Sequence, residues 1–130
     1  MYRPSLAIQK AIVKALSPLY LIIDYMPDEE HITYPYILIG AELRGETWYK
    51  DRSSSHYITL HVWSGEEGQV QVKTIVEDII YTVLHKHLPI EEGYEITDRS
   101  LRLSSTYREI DANREQHHAV VQFDFKIREI

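Results

Sequence analysis

The hydrophobic positions near the N-terminus recur at helical spacing. Between residues 4 and 16 the apolar side chains fall every three or four positions and form one stripe, made of Ile8, Ala11, Ile12, Ala15 and Leu16. Pro4 or Ser5 can open a helix, and Pro18 must end it. The pattern therefore predicts an amphipathic helix over residues 4–16.

A longer stripe of the same period predicts a second helix. Its apolar members are Val72, Ile75, Val76, Ile79, Ile80, Val83 and Leu84. Ser64 and Glu67 have the spacing of a capping box, which predicts that this helix begins at Ser64. Basic or titratable side chains at 85–87 complement the carbonyl end of the helix dipole, and Pro89 stops the helix, so we expect it to end near His87.

Two segments between these helices have the composition of buried strands. Residues 19–24 are short, apolar and β-branched before the break at Met26-Pro27-Asp28. Residues 35–41 are apolar on both faces, which is typical of a strand that is covered on both sides. Pro35 fits there because proline is tolerated at the first residue of a strand.

A third strand is predicted over residues 56–63, where aliphatic and aromatic side chains alternate. We expect Ile58, Leu60 and Val62 to face the helices. The other face then carries Tyr57, Thr59, His61 and Trp63. Aromatic side chains pack cores as readily as interfaces, so that face is either a second, smaller core under a loop or the wall of an intersubunit contact.

The C-terminal third predicts a β-hairpin. Residues 94–107 alternate weakly, with Leu101 and Leu103 as the clearest inward pair, and residues 119–127 alternate strongly. The turn residues at 111–113 connect them. With no repeat or linker in the chain, we predict a single domain over residues 1–130, with an α+β fold: an antiparallel or mixed sheet of four to five strands with two helices packed on one face.

Residues 42–55 follow neither periodicity and contain a glycine, many charges and a triple serine. We interpret them as a long connection or a splayed hairpin tip that is mobile in the isolated protein, either without a role or as a partner-binding segment. Large aromatic side chains at 48 and 49 are typical anchors for a partner. The predicted partner-binding residues are Arg44, Trp48, Tyr49, Lys50 and Arg52 here, with Tyr57, His61 and Trp63 on the aromatic face.

Composition narrows the class of protein. The 130 residues are 44% hydrophobic and 26% charged, as in an ordinary soluble domain, and no apolar run approaches the ~20 residues that span a bilayer. The N-terminus lacks the pattern of a secretion signal. The absence of cysteine excludes disulfides and thiolate metal sites. A net charge of −6 argues against a protein whose main task is to bind nucleic acid.

Seven histidines raise the question of a metal site, but their spacing does not support one. On a helix, His85 and His87 would lie about 200° apart, and on a strand His117 and His118 would face opposite sides. No His-Glu-x-x-His spacing is present. We therefore expect neither a metal nor another cofactor.

Catalytic motifs are equally lacking in the sequence. The chain contains no Gly-x-Ser-x-Gly elbow and no phosphate-binding Gly-x-x-x-x-Gly-Lys loop. The glutamate pairs at 29–30, 66–67 and 91–92 lie beside turn or helix-start signals, where solvated carboxylates are the usual finding. We therefore predict that the protein is not an enzyme.

The order of several short segments resembles the tail-completion, or tail-to-head joining, proteins of long-tailed bacteriophages. An apolar helix is followed by an acidic step from Asp24 to Pro27 and by the strand Tyr34-Pro35-Tyr36-Ile37-Leu38-Ile39-Gly40. His61-Val62-Trp63-Ser64 then leads into the second helix, and Val121-Gln122-Phe123-Asp124-Phe125 closes the chain. These segments extend over nearly all 130 residues.

The resemblance implies a role in assembly. Members of this family are small α+β proteins that cap the head-proximal end of the tail tube and join it to the capsid connector. The implied partners are tail tube protein and head connector proteins, and related tail-terminator proteins form rings, commonly sixfold. We expect the free protein to be monomeric or weakly associating, located in the virion and, during assembly, in the bacterial host cytoplasm. DNA would pass nearby without specific binding, and no membrane is involved.

A second function class remains at this point. The same α+β framework would suit a small intracellular binding module or an enzyme of unknown substrate. Neighbouring genes for portal, connector, major tail and tape-measure proteins would favour the assembly role.

Overall fold

A computed structural model of the chain describes residues 2–26, 28, 31, 33–48, 50–65, 68–111 and 114–130, without the side chains of 46–48, 111 and 114. In chain order the elements are α1 (Pro4–Leu16), β1 (Ile22–Ile23), β2 (Tyr36–Trp48), β3 (Ser53–Ser64), α2 (Val70–His85), β4 (Tyr94–Asp111) and β5 (Arg114–Glu129). This is the predicted α+β fold with two helices and five strands.

The five strands form one mixed sheet in the order β1-β2-β3-β5-β4. β1 runs parallel to β2, and the other neighbours are antiparallel. The strand expected over 19–24 is reduced to two residues, Ile22 and Ile23. The amides of Leu19 and Tyr20 instead bond back to the carbonyl oxygen of Leu16, which keeps the chain in a turn after α1.

Both helices pack on one face of the sheet and enclose the core with it. β3 and β5 supply alternate aliphatic and aromatic side chains to this helix-covered face. Apolar side chains from both helices, β3 and β5 are buried in one cluster, which includes Ile12, Leu16, Leu60, Ile75, Ile79, Val83, Val121 and Phe123. Neither described helix has the length and apolar character needed to cross a membrane.

The start of α2 differs from the prediction. Ser64 is the buried last residue of β3, and the helix begins six positions later, at Val70. The hydroxyl of Ser64 donates to the side-chain oxygen of Gln71, so it joins β3 to the first turn of α2 without capping it. Glu67, the other half of the expected capping box, lies outside the described residues.

The end of α2 is stabilised by a residue that the sequence did not suggest. The helix ends at His85, two residues before the expected position. Arg99 of β4 donates from Nη1 to the carbonyl oxygens of Val83 (2.9 Å) and Lys86 (2.6 Å). These bonds satisfy carbonyl groups that have no partner within the helix, and they attach α2 to the sheet.

The segment 42–55 is a paired β-hairpin over most of its length. β2 continues to Trp48 and β3 begins at Ser53. The expected long connection is therefore wrong, and the two strands stay paired over most of the segment that the alternative interpretation made a splayed tip. Two register shifts, between Ile39 and Glu42 and between Arg44 and Thr47, each insert an extra residue into β2. Such bulges break the two-residue alternation, which is why the sequence shows no strand pattern here.

The predicted inward pair of β4 is wrong. A register shift lies between Leu101 and Leu103, so they pair with Phe123 and Gln122, whose side chains point to opposite faces of the sheet. β4 is also an edge strand, and the two leucines stay 39% and 48% exposed. Sequence alternation could not reveal the bulge that separates them.

A buried polar network connects β2 and β3. The His56 side chain is fully buried, and its Nδ1 donates to a carboxylate oxygen of Glu42 at 3.2 Å. Its Nε2 lies 2.7 Å from the hydroxyl oxygen of Ser54, which is also fully buried. The hydrogen bond from His56 lowers the pKa of the Glu42 carboxyl below its usual value.

The same network holds the N-terminal segment against the sheet. Glu42 accepts a second hydrogen bond from the hydroxyl of Ser5 in α1. The Tyr2 hydroxyl lies 2.8 Å from the Ser54 hydroxyl and donates to the carbonyl oxygen of Ile127 at 3.1 Å. Buried polar groups are costly unless paired, so this network fixes where α1 sits on the sheet.

The core assignment predicts that Ile79→Ala is strongly destabilising. Ile79 is fully buried in the shared cluster, and truncation removes apolar contacts and leaves a cavity. We expect the free energy of unfolding to fall by about 2–5 kcal/mol in denaturant titrations. A change below about 0.5 kcal/mol would be in the range of surface substitutions and would remove α2 from the core. The exposed Tyr81→Ala on the same helix serves as the matched control.

The polar network predicts a pH-dependent effect of Glu42→Gln. Because the folded pKa of Glu42 is lowered, the ionised carboxylate stabilises the fold above its unfolded pKa of about 4.3, and this stabilisation is lost as the pH falls through the folded pKa. We expect the variant to lose about 1–3 kcal/mol at pH 7. The difference from the wild type should shrink as the pH falls below about 4.

Urea titrations over this pH range measure the effect, with Glu77→Gln on the exposed side of α2 as the control. An equal loss at neutral and acidic pH would show that ionised Glu42 does not carry the stabilisation.

Candidate partner-binding surface

The face of the sheet opposite α1 and α2, here called the far face, collects the aromatic side chains of β3. Alternation along β3 buries Ile58, Leu60 and Val62 against the helices. Tyr57, His61 and Trp63 therefore point to the far face, as the sequence predicts, and each stays partly exposed. Three of the eight predicted partner-binding residues are thus brought together on one surface.

His118 of β5 is the centre of the ring cluster on this face. Its imidazole stacks on the Trp63 indole with ring centroids 4.0 Å apart and an interplanar angle of 4°. The His61 ring stacks on it at 5.1 Å, and the Tyr107 ring lies tilted at 6.0 Å. The rings pack mainly on one another, so they form a rigid aromatic surface that needs no further covering element to be ordered.

Hydrogen bonds fix the orientation of the two imidazoles. Nδ1 of His118 lies 3.2 Å from a carboxylate oxygen of Glu109, and a carboxylate only accepts, so His118 Nδ1 carries the proton. Nε2 of His118 and Nδ1 of His61 lie 2.9 Å apart, so a hydrogen bond links the two imidazoles. Burial, and secondly the neighbouring His118, lower the pKa of His61 below its usual value.

Gly40 of β2 makes room for the His61 ring. A Cβ atom at this position would lie 2.7 Å from both Cδ2 and Nε2 of the imidazole, closer than van der Waals contact permits. A larger residue at 40 would therefore displace His61 from the stack. This gives the last residue of the Tyr34–Gly40 segment a packing role in the far face.

Tyr57 lies further along the same face and is covered by a cation. The guanidinium carbon of Arg102 sits 4.3 Å from the centroid of the Tyr57 ring. A guanidinium at this distance is attracted by the ring face. Arg102 was not among the predicted residues, because only the pairing of β4 with β5 brings it near β3.

Three other predicted residues, Arg44, Lys50 and Arg52, lie around the end of the β2–β3 hairpin, and the structure does not gather them into one patch. Arg44 donates to the Ser5 hydroxyl at 3.3 Å on the helix side. Arg52 forms an exposed ion pair with Glu129 at 3.2 Å and has a left-handed backbone with φ of 53°. Lys50 is exposed in the turn. The side chain of Trp48 and all of Tyr49 lie outside the described residues.

One arrangement in the chain resembles catalytic geometry. The order Ser54–His56–Glu42 is that of a nucleophile, a base and an orienting carboxylate. Ser54 and His56 are both fully buried, however, and the Ser54 hydroxyl also lies in contact with Tyr2, so no substrate can reach it. The arrangement is a structural network.

His118 is the main residue of the surface that sequence reasoning missed. Extending the alternation of residues 119–127 backwards places it on the far face, but its contact with Trp63 follows only from the β3–β5 register. Among the described residues, no group of three or more histidine or carboxylate side chains is arranged to hold a metal ion. The surface therefore offers rings and hydrogen-bonding groups, which suit contact with another macromolecule.

We compared the chain with curated protein sequences and with solved structures. A search of curated protein sequences finds no match. A solved structure described as "Virion of native gene transfer agent (GTA) particle" contains a chain with a TM-score of 0.78 and 14% identity, and the match covers 98% of this chain and 99% of that one. That identity shows a shared fold only.

The family comparison extends over nearly the whole sequence. The model of the family described as "Tail completion protein gp17" matches residues 6–128. This range includes both helices except the start of α1, the sheet except Glu129, and the far-face cluster. The protein therefore belongs to the tail completion protein gp17 family.

Proposed function

We propose that this protein completes the head-proximal end of a phage tail and joins it to the capsid connector. The match of residues 6–128 to the tail completion family carries this proposal, because it makes the chain a structural component of a virion. The geometry supports it through an exposed surface of aromatic rings and a buried polar network that substrate cannot reach. The protein acts by binding and is not an enzyme.

The proposed partners are the tail tube protein and the head connector proteins, met by a ring of identical copies, six by analogy with related tail terminators. In this position DNA would pass nearby without specific binding. The net charge of −6 suits this position, because a weakly acidic surface repels the polyanion and does not retain it. The proposed location is the virion, after assembly in the host cytoplasm.

We assign partner contacts to two surfaces. The first is the end of the β2–β3 hairpin, with Arg44, Trp48, Tyr49, Lys50 and Arg52. The second is the far face with Tyr57, His61 and Trp63, and we add His118 because it stacks on Trp63 and His61. Aromatic and arginine side chains dominate the binding energy of interfaces, and both surfaces contain them.

The hairpin assignment predicts that the double variant Trp48→Ala, Tyr49→Ala loses head-to-tail joining. Removing both rings takes away the two largest apolar side chains of residues 42–55, while the buried residues Ser54 and His56 are not substituted. We expect an unchanged melting temperature and a large loss of infectious particles, with unjoined heads and tails seen by electron microscopy.

Tyr81→Ala, which removes one exposed aromatic ring from α2, is the control and should join normally. Normal particle yield from the double variant would place the interface on the far face, around Tyr57, His61 and Trp63.

The ring proposal predicts that association depends on the tail. At micromolar concentration the free protein should scatter light as a monomer or a weak oligomer. Adding tail tubes should recruit it to the tube ends as rings, because the tube aligns copies that associate weakly on their own. A tight dimer whose mass is unaffected by tail tubes would contradict the joining role.

A further inference from the structure

Two histidine side chains on the far face are joined by a single hydrogen bond. Nδ1 of His61 and Nε2 of His118 lie 2.9 Å apart, which is hydrogen-bond distance. An imidazole nitrogen either carries a hydrogen and donates it, or lacks one and accepts. The contact therefore requires exactly one hydrogen between the two facing nitrogens, whichever ring carries it.

This contact fails only when both imidazoles are charged. In a neutral or singly charged pair, one of the facing nitrogens can remain without a hydrogen and accept. In a doubly charged pair both facing nitrogens carry hydrogens, so the hydrogen bond is lost. Two positive rings would then face each other across the same 2.9 Å and repel.

The surroundings leave His61 no room to withdraw within the far face. Gly40 lies on the other side of its ring, where even an added Cβ atom would be 2.7 Å from Cδ2 and Nε2. His118 is held by its stack on Trp63, at 4.0 Å, and by the carboxylate of Glu109, at 3.2 Å. A doubly charged pair therefore separates only if one ring leaves the cluster.

The groups around the pair provide one carboxylate. The strand register places seven far-face side chains beside the two rings: Tyr36, Leu38, Trp63, Tyr107, Glu109, Gln116 and Val120. Among these, only Glu109 is charged at neutral pH, and it bonds to His118. Burial, and secondly His118, hold the pKa of His61 below its usual value of about 6.5. The second charge on the pair is therefore acquired in mild acid.

We propose that mild acid disrupts the ring cluster of the far face by charging His61 and His118 together. Protonation of histidine clusters is a general means by which proteins change an interface with pH. The far face then keeps its shape at neutral pH and loses it in acid. The inference rests on the proposed function in one respect, because it makes the contact between the far face and a partner sensitive to acid.

Nuclear magnetic resonance of the isolated protein tests this inference. A titration from about pH 8 to about pH 4 spans the usual pKa of histidine. The ring resonances of His61 and His118 report the charge on each imidazole, and the indole N–H resonance of Trp63 reports the stack. We expect this indole resonance to move in two steps. Nuclear Overhauser contacts between the two imidazoles should be lost in the second step, when both rings are charged.

The variant His61→Asn separates the two steps. Its side-chain amide can hydrogen-bond to His118 but cannot take up a proton in this range. The Trp63 resonance should therefore keep the first step and lack the second. His85→Asn is the matched control, because His85 is exposed at the end of α2. It should keep both steps at unchanged pH.

Two results would overturn the inference. One is persistence of the His61–His118 contacts in the wild type after both rings are charged, which decides the question even if His61→Asn does not fold. The other is a second step of the Trp63 resonance that also appears in folded His61→Asn. Since these measurements involve no tails or heads, their failure leaves the joining role standing, and failure of the joining role leaves the acid step intact.

Discussion

The pairing of β3 with β5 is the constraint on which the rest of the structure depends. Twelve consecutive residue pairs, from Ser53↔Arg128 to Ser64↔His117, follow without a register shift. Because side chains alternate across a strand, this one register places the aliphatic core under the helices and the ring cluster on the far face. A slip by one residue would exchange the two sets, so the core and the candidate surface are specified together.

β2 and β4, the strands with β-bulges, lie on either side of this central pair, and the bulges change the face to which their side chains point. In β2 they bring Glu42 to the helix side, where it accepts hydrogen bonds from His56 and Ser5. In β4 a bulge sends Leu101 and Leu103 to opposite faces, and both stay exposed at the sheet edge. The regular central pair carries the core, whereas the bulged strands bring Glu42 to α1 and leave Leu101 and Leu103 exposed.

Several polar side chains hold strands, α1 and aromatic rings in position and are not arranged for catalysis. Ser54, His56 and Glu42 have the order of a catalytic triad, but burial closes it to substrate and makes it a link between α1, β2 and β3. His61 and His118 bond to each other and hold rings in place. A virion component of this family needs a defined surface that persists through assembly, and such networks favour one arrangement over its alternatives.

The sequence by itself determined both helices, the strong alternation of residues 56–63 and 119–127, and the side of β3 on which Tyr57, His61 and Trp63 lie. These features follow from local periodicity, which is decided by neighbours three or four positions apart in a helix and two apart in a strand. The family resemblance also followed from the sequence, because it depends on the order of short segments along the chain.

Only the tertiary structure decided the start of α2, the extent of the β2–β3 hairpin and the exposure of Leu101 and Leu103. Each depends on a strand partner that is distant in sequence. Ser64 belongs to β3 because it pairs with His117 of β5. β2 extends to Trp48 because it pairs with β3 despite its bulges, and the bulge in β4 is defined only by its pairing with β5. The stack of His118 on Trp63 joins residues 55 positions apart for the same reason. Pairing register is a property of two strands together, and the periodicity of either strand alone does not contain it.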